Sequence, residues 1–325
     1  MICKICENSQ YNKDYKIKEM MFGYRDEFTY FECSKCGCLQ IAEIPKNMEK
    51  YYPSNYGPHQ QPKSFTNFIG DLLSREREYY AIFKKGLIGK IIHRKYQNPL
   101  FNYVGKVGVN YNSRILDVGC GNGHFLYSLN KIGFKNLMGV DKYIPSELLS
   151  SNNNKEVKFL KMTIHDLPDT QKFDLIIFSG SLTHMPDHIE VLKKTHKLLS
   201  PKGAVLIDIC VKTDYIWDKY GVNWVQIDAP RHFIIHSLKS FEIACEKAGF
   251  IIRDKTFCST EFQFWGSELY MKDIPLMSKH SYWNRSLLNR IFPPKQIKEF
   301  KKMAEYTNKN SQGDEAIFYL TKNIK

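Results

Sequence analysis

Apolar positions change their spacing along the chain, and the change near residue 114 divides the sequence. From about 64 to 100 they recur at helical intervals, Phe68, Leu72, Leu73, Tyr80 and Phe83 among them, which predicts one or two helices. From Arg114 onward, short continuous apolar runs ("RILDVG", "NLMGVD", "FDLIIFSG", "AVLIDIC") alternate with helical patterns. Such runs are what strands buried on both faces of a parallel sheet require. Between them, "NGHFLYSLNKIG" and "DHIEVLKKTHKLLSPKG" read as helices, the second with Asp187 as N-cap and an end at Pro201-Lys202-Gly203. "SFEIACEKAGF" is a further helix leading into "IIRDKTFC". A basic helical insertion at about 278–310 precedes a final strand, "EAIFYLTK". Alternating strands and helices predict an α/β sheet with helices on both faces.

The first 45 residues follow another pattern, with short strand-like stretches such as "EFTYFEC" set among cysteines. "KYYPSNYGPHQQP" then breaks regular structure with prolines and a glycine. The expected division is therefore a cysteine unit over 1–45, a tyrosine-rich linker and helical lid over 46–105, and the α/β domain over 106–325.

Composition narrows the class. At 325 residues, 43% of them hydrophobic, the chain can bury a full core. No run of about eighteen apolar residues exists, so no membrane span is expected. "MICKICENSQ" carries no signal-peptide pattern, which places the chain in the cytosol with its thiols reduced. The net charge of +13 raises the question of nucleic acid. The cations are spread out, however, with concentrations at "FKKGLIGKIIHRKY" and over the last fifty residues. An anionic small substrate fits the same charge, and nucleic acid is not the expected partner.

Five of the nine cysteines precede residue 40. Cys3, Cys6, Cys33 and Cys36 form two C-x2-C pairs, and Gly37 supplies a turn after the last. Four thiolates at this spacing suit tetrahedral structural zinc, because no position is left for a water. Cys38 is either a replacement ligand or a packed residue. Cys120, Cys210, Cys245 and Cys258 lie among core elements and read as small hydrophobes.

"ILDVGCGNGHF" is the most informative stretch. Gly119, Gly121 and Gly123 follow a strand and precede a helix, so the backbone can turn tightly around a ligand. His124 stands where a dinucleotide fingerprint places its last glycine. Asp117 can accept a hydrogen bond from a cationic amine. Asp141, at the end of the next strand, is placed to hold ribose hydroxyls. A loop without an anion-binding lysine, framed by carboxylates, suits a nucleoside that bears an amino acid.

"LDVGCGNGHF", "GVD" and "FDLIIFSGSLTHMPD" together resemble the class I S-adenosylmethionine-dependent methyltransferases, over about residues 113–250. The resemblance implies a Rossmann-like sheet with S-adenosylmethionine as cofactor. Asp117 and the loop Gly119, Cys120, Gly121, Asn122 and Gly123 would face the methionine part, and Asp141 with its neighbour Lys142 the ribose. Asp166 in "TIHDLP" would meet adenine, or else cap a turn; Ser179 and Gly180 would line the other side.

A zinc ribbon, then "YYPSNY", then this core is similar to a subgroup that includes bacterial C-methyltransferases acting on nucleotide-linked deoxysugars. Relatives of that subgroup occur in polysaccharide and natural-product gene clusters. There the zinc module is a substrate lid. The subgroup carries a histidine before a helix matched here by "IHSLKSFEIACEKAGF", and His232 takes that place. Its implied role is a base removing a proton beside a ketone, for which histidine has a suitable pKa; the alternative is a structural histidine. The preceding residue is typically glutamate but here is Arg231, which points to an anionic group on the substrate. His184 in "SLTHMPD" is expected to shape the pocket or serve as the base. Tyr51, Tyr52 and Tyr56 are expected to reach the pocket or to pack, and Trp217, Trp224 and Trp265 to build walls. The expectation is a methyltransferase of a small-molecule precursor, such as a nucleotide-linked sugar. The rivals are an RNA or protein methyltransferase and a non-catalytic cofactor-binding subunit.

Overall fold

The computed structural model describes residues 1–53, 56, 68–144, 149, 156–283 and 291–323. The chain begins with three antiparallel strands, β1 (Lys13–Lys18), β2 (Glu27–Glu32) and β3 (Leu39–Ile41). Helices α1 (Phe68–Phe83), α2 (Leu87–Lys95) and α3 (Pro99–Lys106) follow. The expected linker falls mostly outside the described residues, at 54–55 and 57–67.

The apolar runs form the main sheet. Its strands are β4 (Arg114–Val118), β5 (Asn136–Val140), β6 (Val157–Leu160), β7 (Phe173–Ser179), β8 (Leu199–Cys210), β10 (Phe250–Phe257) and β11 (Glu315–Lys322), with the two-residue β9 (Ile234–Ile235) set apart from it. They lie in the order β10-β11-β8-β7-β4-β5-β6. β4 to β8 pair in parallel, and β11 runs antiparallel to β8 and β10. Successive residues serve opposite faces. Leu116, Ile176 and Ile207 enter one core, and Ile115, Leu175, Ile177 and Leu206 enter the other. This two-sided burial explains why the runs are continuously apolar. On one side lie α1, α3 and α4 (His124–Ile132); on the other lie α5 (His188–Leu198), α7 (Leu238–Lys247), α8 (Phe262–Met271) and α9 (Pro294–Lys309), with the short α6 (Asp214–Tyr220) between β8 and β9. Among the described residues no helix is long and apolar enough to cross a membrane.

The cysteine unit is continuous with this body. Leu39 and Gln40 pair with Ile235 and Ile234, so β9 completes a four-stranded sheet with β1 to β3. Cys3, Cys33, Cys36 and Leu39 belong to the same apolar core as Leu116, Phe178 and Ile207.

Two boundaries differ from expectation. α5 ends at Leu198 and β8 begins at Leu199, so Pro201-Lys202-Gly203 sits within the strand. A register break between Phe173 and Leu175 of β7 absorbs it. Asp187 gives its helix no side-chain cap; its carboxylate lies 3.4 Å from Lys4 Nζ. The basic insertion expected at 278–310 is helical only over Pro294–Lys309, and 284–290 lies outside the described residues.

Candidate functional site

The C-terminal ends of β4, β5 and β7 converge on the glycine loop. In open α/β sheets this is the edge where ligands bind. Gly119 has φ +73, and a Cβ there would lie 2.5 Å from Ser181 Cβ, so no other residue lets the loop pass this close to the β7 turn. Ser181 Oγ donates to the Val118 carbonyl and ties that turn to β4. Gly123, at φ +72, starts α4, and a Cβ on it would run into the Phe159 ring.

Asp141 organises the loop. Its carboxylate accepts the Gly121 N–H at 3.0 Å and the Tyr143 N–H at 2.7 Å. Asp117 lies beneath at 2% exposure, and among the described residues its Oδ1 has no hydrogen-bond partner. Burial, and then the charge of Asp141, push its carboxyl up to about 7. A buried acceptor with nothing to accept from is costly unless a donor arrives. The open loop, the orphaned carboxylate and Asp141 together fit S-adenosylmethionine, whose cationic amine suits Asp117. Ser179 and Gly180 end β7 as exposed residues beside the loop, and Lys142 is exposed, with its Nζ 5.6 Å from the Tyr143 ring centre. Cys120 is buried, and Asn122 Oδ1 accepts the His124 N–H at 3.1 Å. Asp166 is a turn cap, as one of its two readings had it. Its Oδ2 accepts from both the N–H and the hydroxyl of Thr163, which hold the carboxyl below its usual range.

Next to the loop two histidines meet. His184 follows β7 and His232 precedes β9, yet their ring centroids are 4.7 Å apart. His184 Nδ1 lies 3.0 Å from the Arg231 carbonyl, and His232 Nδ1 lies 2.8 Å from the Gln226 carbonyl. A carbonyl can only accept, so both rings carry their proton on Nδ1 and leave Nε2 as the basic nitrogen. Burial, and then the neighbouring His232, lower His184 to about 3; burial also lowers His232, against the pull of Asp228. Both imidazoles are therefore neutral near pH 7. Tyr52 covers the pair from the linker, its hydroxyl 3.3 Å from His184 Nδ1, and it packs on Tyr56 and on Tyr143, in the turn after β5. Tyr51 instead turns away, donating to Asp26. The structure thus brings Tyr52 of the linker, Tyr143 and both histidines into one aromatic cluster.

The Arg231 side chain does not join that cluster. Its guanidinium has no exposed surface and binds Asp228 (2.6 and 3.0 Å), Glu19 (2.9 Å) and the Tyr51 carbonyl (3.1 Å), with the Phe22 ring over it. Two carboxylates already neutralise it, which corrects the expectation that it holds an anionic substrate. Its carbonyl, by contrast, anchors His184. Glu19 and Tyr143 carried no sequence signal, since each meets a partner distant in sequence, Arg231 and Tyr52; Asp228 carried none either, although its partner Arg231 stands only three residues on. Trp224 and Trp265 are buried core, Trp224 donating to Asp314 at 2.9 Å, and Trp217 packs edge-on against Tyr15.

Cys3, Cys6, Cys33 and Cys36 bring four sulfurs within 4.8 Å of one another. Tetrahedral zinc with bonds of about 2.3 Å needs sulfurs roughly 3.8 Å apart, and the Cys3–Cys36 and Cys6–Cys33 separations are 3.6 and 3.4 Å. The donor set fits that metal. Gln40 Nε2 donates to Cys3 Sγ, Gly37 turns at φ +72, and Cys38 is packed outside the cluster.

The family whose model matches residues 88–254 is described as a methyltransferase domain. Among curated relatives, a tRNA U34 carboxymethyltransferase of Campylobacter jejuni is 29% identical over 42% of this chain and 48% of its own. A ubiquinone biosynthesis O-methyltransferase of Rickettsia bellii is 33% identical over 44% of this chain and 64% of its own. The chain thus spans about half to two thirds of the length of the relatives it matches. A solved structure of a putative sarcosine dimethylglycine methyltransferase from Galdieria sulphuraria aligns over 77% of this chain and 98% of its own, at 16% identity and a TM-score of 0.47. The family match covers just over half of the chain and contains the glycine loop, Asp141 and both histidines, so the chain belongs to the methyltransferase-domain family, among the class I S-adenosylmethionine-dependent methyltransferases.

Proposed function

We propose that the chain methylates a small molecule, a nucleotide-linked sugar or another polysaccharide or natural-product precursor, with the His184–His232 pair as the base. The observation that carries this reading is the pair itself, two neutral imidazoles with Nδ1 pinned by carbonyls and Nε2 left to accept a proton. The cofactor supplies an electrophilic methyl group. The protein's part is to hold Asp117 and Asp141 against the cofactor's amine and ribose and to take a proton from the acceptor at Nε2. Tyr52 packs on Tyr56 and covers His184. The four cysteines hold a structural zinc, and the unit around them acts as a substrate lid.

An RNA acceptor is the second reading, favoured by the net charge of +13 and by the tRNA enzyme among the relatives. Label transfer from methyl-labelled S-adenosylmethionine into a bacterial extract, split into low-mass and RNA fractions, separates the two. Label in the low-mass fraction supports the proposal. Label in RNA, with binding that falls steeply as salt rises, overturns it.

A further inference from the structure

Helix α2 and its flanks, "KKGLIGKIIHRKY", take no part in the site described above. Its inner face is short and tightly seated. Gly89 rests on α1 where a Cβ would lie 2.2 Å from the Glu76 carbonyl oxygen, and His93 is buried with its ring 5.5 Å from that of Tyr80. At 100° per residue those two positions fix the outward direction, and Leu87, Ile88 and Ile91 occupy it. They are exposed by 74%, 59% and 62%. Single exposed aliphatics are ordinary; three on one face of a nine-residue helix are not.

The charge around that face has one sign. Lys84, Lys85, Lys90, Arg94 and Lys95 surround it, and no Asp or Glu occurs between residues 79 and 98. Among the described residues none of the five cations is ion-paired with a carboxylate, although nearby Arg75, Arg77 and Lys106 are. Lys84 instead meets the Ala81 carbonyl and Asn102. An aliphatic centre in a cationic border matches the boundary between acyl chains and anionic headgroups. A strand of RNA would answer the charge but leave Leu87, Ile88 and Ile91 against water, since bases stack on aromatic rings rather than branched aliphatics. A second copy would cover the aliphatics but oppose five cations to five.

We propose that α2 is a peripheral docking surface for an anionic lipid bilayer, lying flat with Leu87, Ile88 and Ile91 among the acyl chains. This reading is independent of the methyl acceptor. The test is sedimentation of the full chain with phosphatidylcholine vesicles, with and without roughly a third phosphatidylglycerol. At least tenfold more bound protein on the anionic vesicles is the expected result. Ile88→Glu/Ile91→Glu and Lys90→Glu/Arg94→Glu should each abolish it while cofactor binding, the check on folding, is retained. Equal partition onto both vesicles, or none onto either, overturns the proposal. So does binding to single-stranded RNA that is lost in the Lys90/Arg94 variant but not in the Ile88/Ile91 variant. A dimer by light scattering that the Ile88/Ile91 variant dissolves would show instead that a second copy covers the face.

Discussion

Arg231, just before β9, and Glu19, in the loop after β1, form an ion pair with no exposed surface on either side chain. Glu19 also accepts the N–H groups of Phe22 and Tyr24, so it shapes the cysteine unit's loop while neutralising a cation from the body. Removing one partner strands the other charge in a poorly hydrated place. Glu19→Ala is expected to destabilise the protein by about 3 kcal/mol in urea unfolding. Arg231→Lys should cost a comparable amount, because a lysine cannot serve Asp228, Glu19 and the Tyr51 carbonyl together. Unchanged unfolding midpoints would mean that the pair does not lock the two parts.

Asp117 has a sign-specific pH signature. Its folded pKa, about 7, lies above the unfolded value of 3.8, so the folded state binds the proton more tightly. Its contribution to stability is present below about pH 4 and lost as pH rises through 7. Asp117→Asn should therefore stabilise the cofactor-free protein at pH 8, with the gain vanishing towards pH 4. With Asp117 proposed as the partner of the amine, the same change should weaken S-adenosylmethionine binding by roughly tenfold or more. Calorimetry and thermal unfolding over this range check both halves. Loss of affinity without the stability gain would place Asp117 outside the buried, unpartnered state.

The β-strand and glycine-loop code was legible because it is local: apolar runs bounded by turns, and glycines that a close approach demands. The four cysteines were readable as one donor set for the same reason, the spacing of each pair being local, and their sulfurs do come together. Arg231 was misread because a charged residue's partners are set by the tertiary fold; nothing in "APRH" announces Glu19, more than two hundred residues upstream. The docking of the cysteine unit through β9 escaped too, since two residues, Ile234 and Ile235, are too few to show a strand pattern.

The histidine pair makes a kinetic prediction about pH. An ordinary histidine base gives a rate that rises through pH 6 to 7. Burial lowers both His184 and His232 from 6.5, so the neutral, proton-accepting form persists to lower pH. Turnover should then be flat from pH 8 to below 6.5, with its acid limb lower still. His232→Ala should reduce kcat by about a hundredfold, in line with general-base contributions, with little change in cofactor affinity. A limb centred at or above 6.5, or full turnover in both His184→Ala and His232→Ala, would exclude the pair as the base.

The cysteine cluster tests the link between metal and chemistry. Elemental analysis should find one zinc per chain, and Cys33→Ser should release it, since structural sites need all four ligands. The damage should not stop at the cluster. Ser237 Oγ donates to the Cys36 carbonyl at 2.5 Å, and Ile41 N–H bonds to Phe233 O at 2.9 Å. Tyr30 hydroxyl donates to the His232 carbonyl at 2.8 Å. Those three bonds hold the 232–237 segment, which contains one of the two histidines but none of the glycine-loop residues. Chelation or Cys33→Ser should therefore cut kcat by roughly tenfold or more while S-adenosylmethionine affinity changes by less than about threefold. Equal loss of both would mean that the metal supports the whole fold. No loss of either would mean that the 232–237 segment holds its place without the cysteine unit.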